Sequence, residues 1–132
     1  MNKYRNRIAQ SRDGKSFASI AERDRYEELL LLQKGKQIAD LTVQPRFPIR
    51  INTFLICTYV GDFMYTEGNQ WIVEDVKGHD TPVFRLKRKM FEAYWAHYEL
   101  RVMRRSVRGF VADTGTRRKA TVKRRSGRSS GL

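Results

Sequence analysis

Two segments that favour β-structure, separated by a short turn, most constrain the fold of this chain. Residues 54–65 and 70–77 are rich in β-branched and aromatic side chains, and Glu67-Gly68-Asn69 lies between them. Such side chains pack well on a pleated surface, and glycine tolerates the backbone of a tight turn. The two segments therefore predict an antiparallel hairpin, around which the rest of a sheet would be built.

The segments before the hairpin predict a helix and one more strand. Ser19 followed by Glu22 three residues later is typical of a capping box, so we expect a helix that begins there and ends at Gly35. Residues 41–51 alternate apolar and polar side chains with a period of two, which predicts a strand interrupted by Pro45.

The segments after the hairpin predict a second helix and a final strand. Thr81-Pro82 combines an N-cap residue with proline at the first helical position, and apolar residues then recur at helical spacing to about Tyr98. Residues 99–104 are expected to form the last strand. The predicted order is α-β-β-β-α-β, which indicates an α/β domain.

The positive charge is concentrated at the carboxyl-terminal end. Residues 1–100 hold 16 basic and 13 acidic side chains, whereas residues 101–132 hold 11 basic ones and only Asp113 as an acid. We therefore expect a loose basic segment over 1–15, one folded domain over 16–111, and a disordered basic tail over 112–132, because the tail has too little apolar surface to offset its ordering entropy.

Composition limits the classes of function. The net charge of +13 indicates a polyanionic partner, with nucleic acid the first interpretation and an anionic membrane surface or an acidic protein as alternatives. The single cysteine, Cys57, excludes an intramolecular disulfide and a cysteine-based zinc site. Neither a secretory signal nor an apolar run of membrane-spanning length is visible, so a cytoplasmic protein without a membrane partner is expected.

Three acidic residues occupy strand positions that normally disfavour them. Asp62 interrupts the first strand of the hairpin, and Glu74 and Asp75 interrupt the second. The hairpin would bring Asp62 close to residues 73–75, and strand alternation would place Asp75 and Lys77 on one face and Glu74 on the other. Paired carboxylates suit a hard cation such as Mg²⁺, which can activate water against a phosphodiester. The alternative is a surface hairpin with a cross-strand Asp–Lys pair worth about 0.2–1 kcal/mol.

The arrangement Gly61-Asp62 followed by Asp75-Val76-Lys77 resembles the signature of the PD-(D/E)XK nucleases, whose common core has the α-β-β-β-α-β order. Five flanking segments, residues 19–29, 41–47, 58–63, 73–78 and 84–91, resemble in that order a small phage-borne family of unknown function. That family is similar to the PD-(D/E)XK nucleases, particularly to endonuclease I-type Holliday junction resolvases. The resemblance covers about residues 3–104 and implies a restriction-endonuclease-like mixed sheet flanked by helices.

The resemblance also implies a catalytic site. Glu22, Asp62 and Asp75 would hold Mg²⁺, or Mn²⁺ as a substitute, with help from the backbone carbonyl of Val76, and Lys77 would be the catalytic lysine. The proline of the signature is replaced by Gly61. Two alternatives stay open: Glu74 in place of Asp75 as the third acid, and Glu22 as a helix-capping residue only.

Basic and polar residues around this site are candidate nucleic-acid contacts. The alternative for each is a solvent-exposed or strand-edge side chain without a binding role. They are Gln44, His79, Arg85, Lys87, Arg88, Lys89, Arg117, Arg118, Lys119, Lys123, Arg124 and Arg125. The expected function is a Mg²⁺-dependent DNA endonuclease, on branched DNA if the resolvase likeness holds, in a bacterial host cytoplasm if phage-derived. A homodimer is an open alternative. Rival functions are a catalytically inactive nuclease-fold DNA-binding module and a basic RNA- or ribosome-binding protein.

Overall fold

The structure is a computed structural model, and it describes residues 8–113. Along the chain the elements are β1 (Ala9–Gln10), β2 (Ser16–Phe17), α1 (Ile20–Lys34), β3 (Ala39–Val43), β4 (Arg46–Ile51), β5 (Phe54–Val60), β6 (Phe63–Glu67), β7 (Gln70–Val76), α2 (Pro82–Tyr94), β8 (Glu99–Ser106) and β9 (Gly109–Asp113). Within this described part, neither helix is long and apolar enough to cross a membrane.

The main sheet has five strands in the order β3-β6-β7-β8-β9. Strand β6 runs antiparallel to both β3 and β7, whereas β8 is parallel to β7. A parallel pair needs a long crossover connection, and α2 supplies it. The prediction of an α/β fold with a mixed sheet is confirmed, and the α-β-β-β-α-β order is present as α1, β3, β6, β7, α2 and β8.

Two of the predicted strands are each divided. Residues 41–51 form β3 and β4, which separate at Pro45, and residues 54–65 form β5 and β6, which separate at Gly61-Asp62. Among the strands of residues 8–113, β4 and β5 pair only with each other, as a two-stranded ribbon between β3 and β6. Glycine is required at position 61, because a Cβ atom there would lie 2.8 Å from Cγ1 of Val73.

The folded part extends beyond the predicted boundaries. Residues 1–15 were expected to be loose, yet β1 pairs with β2, and Ala9 and Ser11 are buried. At the other end β9 continues to Asp113, two residues into the predicted tail. Helix α2 ends at Tyr94, four residues before the predicted end. The predicted tail from residue 114 onward lies outside the described residues.

Alternate residues of the central strand β7 pack into two separate cores on opposite faces of the sheet. On the α1 face, Ile72 packs with Phe17, Tyr26, Leu29, Ile38, Phe63 and Tyr65. On the α2 face, Val73 packs with Phe47, Ile49, Tyr59, Phe84, Phe91, Leu100 and Val102. The first three of these belong to the β4–β5 ribbon. The next two residues of β7 continue this alternation, so Glu74 and Asp75 enter opposite layers.

Candidate active site

Two aspartate side chains meet where β7 passes the link between β5 and β6. Phe63 pairs with Glu74 in the hairpin register, so Asp62, one residue earlier, lies opposite Asp75. The backbone N–H of Asp62 donates to the carbonyl oxygen of Glu74 at 2.8 Å, and the N–H of Val76 donates to Oδ2 of Asp62 at 2.7 Å. The two carboxyl groups are close enough that each shifts the pKa of the other. The hairpin therefore brings these two acids together, as the sequence predicted.

Asp75 has two further partners. The hydroxyl of Tyr59 donates to its Oδ2 at 2.5 Å, and Nζ of Lys77 lies 3.5 Å from its Oδ1. The same Nζ lies 4.4 Å from the centre of the Phe84 ring, which favours a cation. Sequence reasoning missed Tyr59, because an aromatic residue in an apolar strand has no signal that separates a hydrogen-bonding role from a core role.

The buried carboxyl groups hold protons more tightly than free ones. Burial, together with the charges of Asp75 and Glu22, raises the pKa of Asp62 to about 8, although the hydrogen bond from the Val76 N–H lowers it. Burial also raises the pKa of Asp75, whereas the hydrogen bond from Tyr59 and the charge of Lys77 lower it. Burial likewise raises the pKa of the Tyr59 hydroxyl far above its ordinary range. Negative charge is thus costly at this site unless a cation accompanies it.

Glu22 lies on the first turn of α1, near the aspartate pair. Its backbone N–H donates to Oγ of Ser19 at 3.1 Å, and its carboxyl group is half-buried. Burial raises the pKa of Glu22, and the charge of Asp75 raises it further. Glu22 therefore contributes to the helix start and also interacts electrostatically with the pair, so both sequence-based alternatives remain consistent with its position.

Glu74 belongs to a different cluster on the other face of the sheet. It is completely buried, and Arg25 donates to it from Nε at 2.8 Å and from Nη2 at 2.6 Å. The Tyr65 hydroxyl donates to it at 2.5 Å. These contacts join α1 to β7 and occupy both carboxylate oxygens. Of the two neighbouring acids that the sequence left open, Asp75 is the one beside Asp62.

A cleft of about 260 Å³ opens beside Asp75 and Lys77, between β5 and the start of α2. Its remaining lining comes from Thr58, Tyr59, Val60, Thr81, Val83, Phe84 and Lys87. Of the predicted nucleic-acid contacts, Lys87 is the one that lines this cleft. A phosphate group would fit the combination of positive lysines and an apolar wall better than an uncharged polar ligand would.

The other predicted nucleic-acid contacts lie in several places. The side chains of Gln44, His79, Arg85 and Lys89 are exposed. Arg88 is instead buried, where it forms an ion pair with Glu92 at 3.4 Å and donates to the carbonyl of Asp113 at 3.4 Å, so its position opposes the predicted phosphate contact. The predicted contacts in the tail, namely Arg117, Arg118, Lys119, Lys123, Arg124 and Arg125, lie outside the described residues.

A family model described as "Protein of unknown function (DUF1064)" matches residues 1–109. The chain belongs to this family. The prediction of a small family of unknown function is thereby confirmed, and the match to DUF1064 includes Glu22, Asp62, Asp75 and Lys77. No curated protein and no solved structure matches the chain.

Proposed function

We propose that this DUF1064 protein is a metal-dependent DNA endonuclease of the PD-(D/E)XK class that hydrolyses phosphodiester bonds. The observation that carries the proposal is the pair Asp62 and Asp75, which the hairpin register places opposite each other, with Lys77 3.5 Å from Asp75 beside an open cleft. Two buried acids without a cation are costly to the fold. Their presence next to a lysine in a strongly basic protein supports a site for a metal and a phosphate.

The residues present fit a hard divalent cation. Within residues 8–113, no three His, Cys, Asp or Glu side chains are grouped as a metal cage. Mg²⁺ does not need such a cage, because it keeps several of its waters and is commonly held by one or two carboxylates. Asp62 and Asp75 would hold it, with the carbonyl of Val76 and nearby Glu22 completing the shell, and Mn²⁺ would substitute. A bound cation would supply a lowered pKa for water and stabilisation of charge on the phosphoryl oxygens.

The surrounding groups have distinct tasks in this proposal. The Tyr59 hydroxyl and the Val76 N–H fix the orientation of Asp75 and Asp62, respectively. Lys77 would hold the attacking water and offset negative charge that develops on the phosphate. Lys87, at the edge of the cleft, would bind a neighbouring phosphate.

The test is incubation of the full chain with supercoiled, linear and four-way-junction DNA, in Mg²⁺ or in EDTA. We expect Mg²⁺-dependent cleavage that Asp62→Asn and Asp75→Asn each abolish. Glu67→Gln is the matched control, because Glu67 is on the same hairpin but forms a surface ion pair with Arg101. If folded protein cleaves none of these DNAs while Mg²⁺ still raises its melting temperature, the endonuclease proposal is wrong and a DNA-binding module replaces it.

Preference for branched DNA and a phage origin are finer proposals that rest on the resemblance alone. A resolvase would cut two strands together, which suits a symmetric homodimer. Faster cleavage of four-way junctions than of linear duplex, together with a dimer in light scattering on junction DNA, would support this form of the proposal. A monomer that nicks both DNAs at equal rates would replace it with a nicking activity.

A further inference from the structure

The β4–β5 ribbon has a packed base and an exposed apolar tip. At the base, Phe47, Ile49 and Tyr59 are buried in the core on the α2 face of the sheet. At the tip the exposed fractions are 59% for Ile51, 71% for Phe54, 53% for Leu55 and 49% for Ile56. Four large exposed apolar side chains are thus clustered at the end of one two-stranded ribbon, and such clusters usually mark an interaction surface.

Local geometry explains why the tip is separate from the core. The pairing register shifts between Ile49 and Arg50, so the alternation that buries Ile49 stops there. Beyond the shift, Arg50 pairs with Leu55 and Ile51 pairs with Phe54. A two-residue turn closes the ribbon at Asn52, whose φ of 56° is in the left-handed region that asparagine tolerates. The tip is thus narrow, with apolar side chains on both of its faces.

The charge of the ribbon favours a polyanion as its partner. Residues 46–60 contain Arg46 and Arg50 and no acidic residue, and both arginines are exposed. A second copy of this chain, packed tip to tip by two-fold symmetry, would bring Arg50, which pairs with Leu55 near the tip, towards its own copy without an acid in the ribbon to pair with it. The phosphates of DNA would complement both arginines.

The base of the ribbon is continuous with the proposed active site. Thr58 and Val60 of β5 line the cleft that contains Asp75 and Lys77. From Val60 to Phe54 the strand advances by six residue steps, or about 20 Å at a rise of about 3.4 Å per residue. Stacked base pairs rise by about 3.4 Å each. DNA with one phosphate in the cleft would therefore reach the tip within about six base steps.

We propose that the β4–β5 ribbon is a DNA-binding arm, in which Phe54 and Leu55 insert between base pairs while Arg46 and Arg50 contact phosphates. Strand ribbons enter DNA grooves, and Phe, Leu and Ile are side chains that wedge open base steps. The substrate class that follows is DNA that unstacks easily, such as flexible pyrimidine–purine steps, mismatches or branch points. The estimate of six base steps between the cleft and the tip rests on the proposed function, because it assumes that the cleft binds the phosphate that is cut. The proposal that the arm binds DNA does not need that assumption.

The test measures binding and unstacking rather than cleavage. The full chain in EDTA is titrated onto a fluorescein-labelled duplex and onto the same duplex with 2-aminopurine at a TA step. We expect the wild type to raise 2-aminopurine fluorescence, and Phe54→Ser/Leu55→Ser to lose this rise and to bind at least about 10-fold more weakly. Leu31→Ser is the matched control, because Leu31 on α1 is 70% exposed, against 71% for Phe54 and 53% for Leu55. Serine at these exposed sites leaves no cavity, and circular dichroism and the melting temperature verify the fold.

Further readouts separate this proposal from the others. Arg46→Ala/Arg50→Ala should lower the slope of log affinity against log salt by about 2, from about 0.9 per phosphate contact. If Phe54→Ser/Leu55→Ser binds DNA as tightly as the wild type and still raises 2-aminopurine fluorescence, the proposal of a DNA-binding arm is wrong. The proposal is also wrong if light scattering shows that the same variant loses a dimer while its DNA affinity is unaltered. The tip would then be an interface between two copies of this chain. A protein that unstacks DNA but never cleaves it would overturn the proposed function and leave the arm standing.

Discussion

Glu74→Gln should strongly destabilise the fold, although the residue lies next to a proposed metal ligand. Glu74 is completely buried, and its two oxygens accept three hydrogen bonds, two from Arg25 and one from Tyr65. Glutamine keeps the volume but removes the charge and places an NH₂ group where one oxygen accepted. Breaking a buried ion pair from one side costs about 3–5 kcal/mol. We expect the low end, about 3 kcal/mol, because Glu28 still pairs with Arg25 at 2.7 Å.

Equilibrium unfolding in urea at pH 7, followed by circular dichroism, measures this loss as a lower midpoint at an unchanged slope. Asp75→Asn is the matched control on the neighbouring residue. It removes a charge from the crowded aspartate pair, so we expect it to keep or raise the free energy of unfolding in EDTA. The reasoning would be refuted by a Glu74→Gln protein within about 1 kcal/mol of the wild type, since a buried ion pair broken from one side costs more than that.

Four other predictions follow from the site and the charge distribution. Because the pKa of Asp62 is raised to about 8 in the folded protein, metal-free protein should lose stability as pH rises from 5 to 8, measured by urea unfolding in EDTA. Asp62→Asn should flatten that dependence and remove any rise in melting temperature caused by Mg²⁺, as differential scanning fluorimetry would show. Lys77→Met should abolish cleavage while DNA affinity stays within about threefold, because it removes one of several cations near the cleft. Deleting residues 114–132, which carry seven basic side chains, should reduce the salt slope of DNA binding by roughly 5 if six of them contact phosphates at about 0.9 each, without changing single-turnover cleavage at saturating DNA.

Local signals in the sequence predicted the helices, the hairpin and the meeting of Asp62 with Asp75. The turn at Gly68 and the apolar alternation on either side predict the hairpin, and a hairpin register is enough to bring Asp62 beside Asp75. The capping residues Ser19 and Thr81 predict where both helices begin. These features depend on neighbours a few residues apart, which a sequence shows directly.

The features that the sequence did not predict depend on contacts between segments that are distant in the chain. Tyr59 reaches Asp75 across 16 positions, and Arg25 reaches Glu74 across 49 positions. The division of residues 54–65 depends on the close packing of Gly61 against Val73, which requires the register of a neighbouring strand. A composition that favours β-structure cannot show whether a strand joins the main sheet or a separate one. The sequence therefore did not predict the β4–β5 ribbon.

The alternation of one strand explains how adjacent acids come to differ in kind. Glu74 faces the α1 layer, where Arg25 neutralises it, so its charge is used within the fold and no cation is needed. Asp75 faces the α2 layer, where its neighbours are another acid, a tyrosine hydroxyl and a lysine at 3.5 Å beside an open cleft. Burial raises the pKa of Asp62, Asp75 and Glu22, so these acids hold protons more tightly in the metal-free protein. In the proposed function a divalent cation would replace those protons on the cleft side of the sheet, where the ribbon begins, and would pair the ionised carboxylates with a phosphate in the cleft.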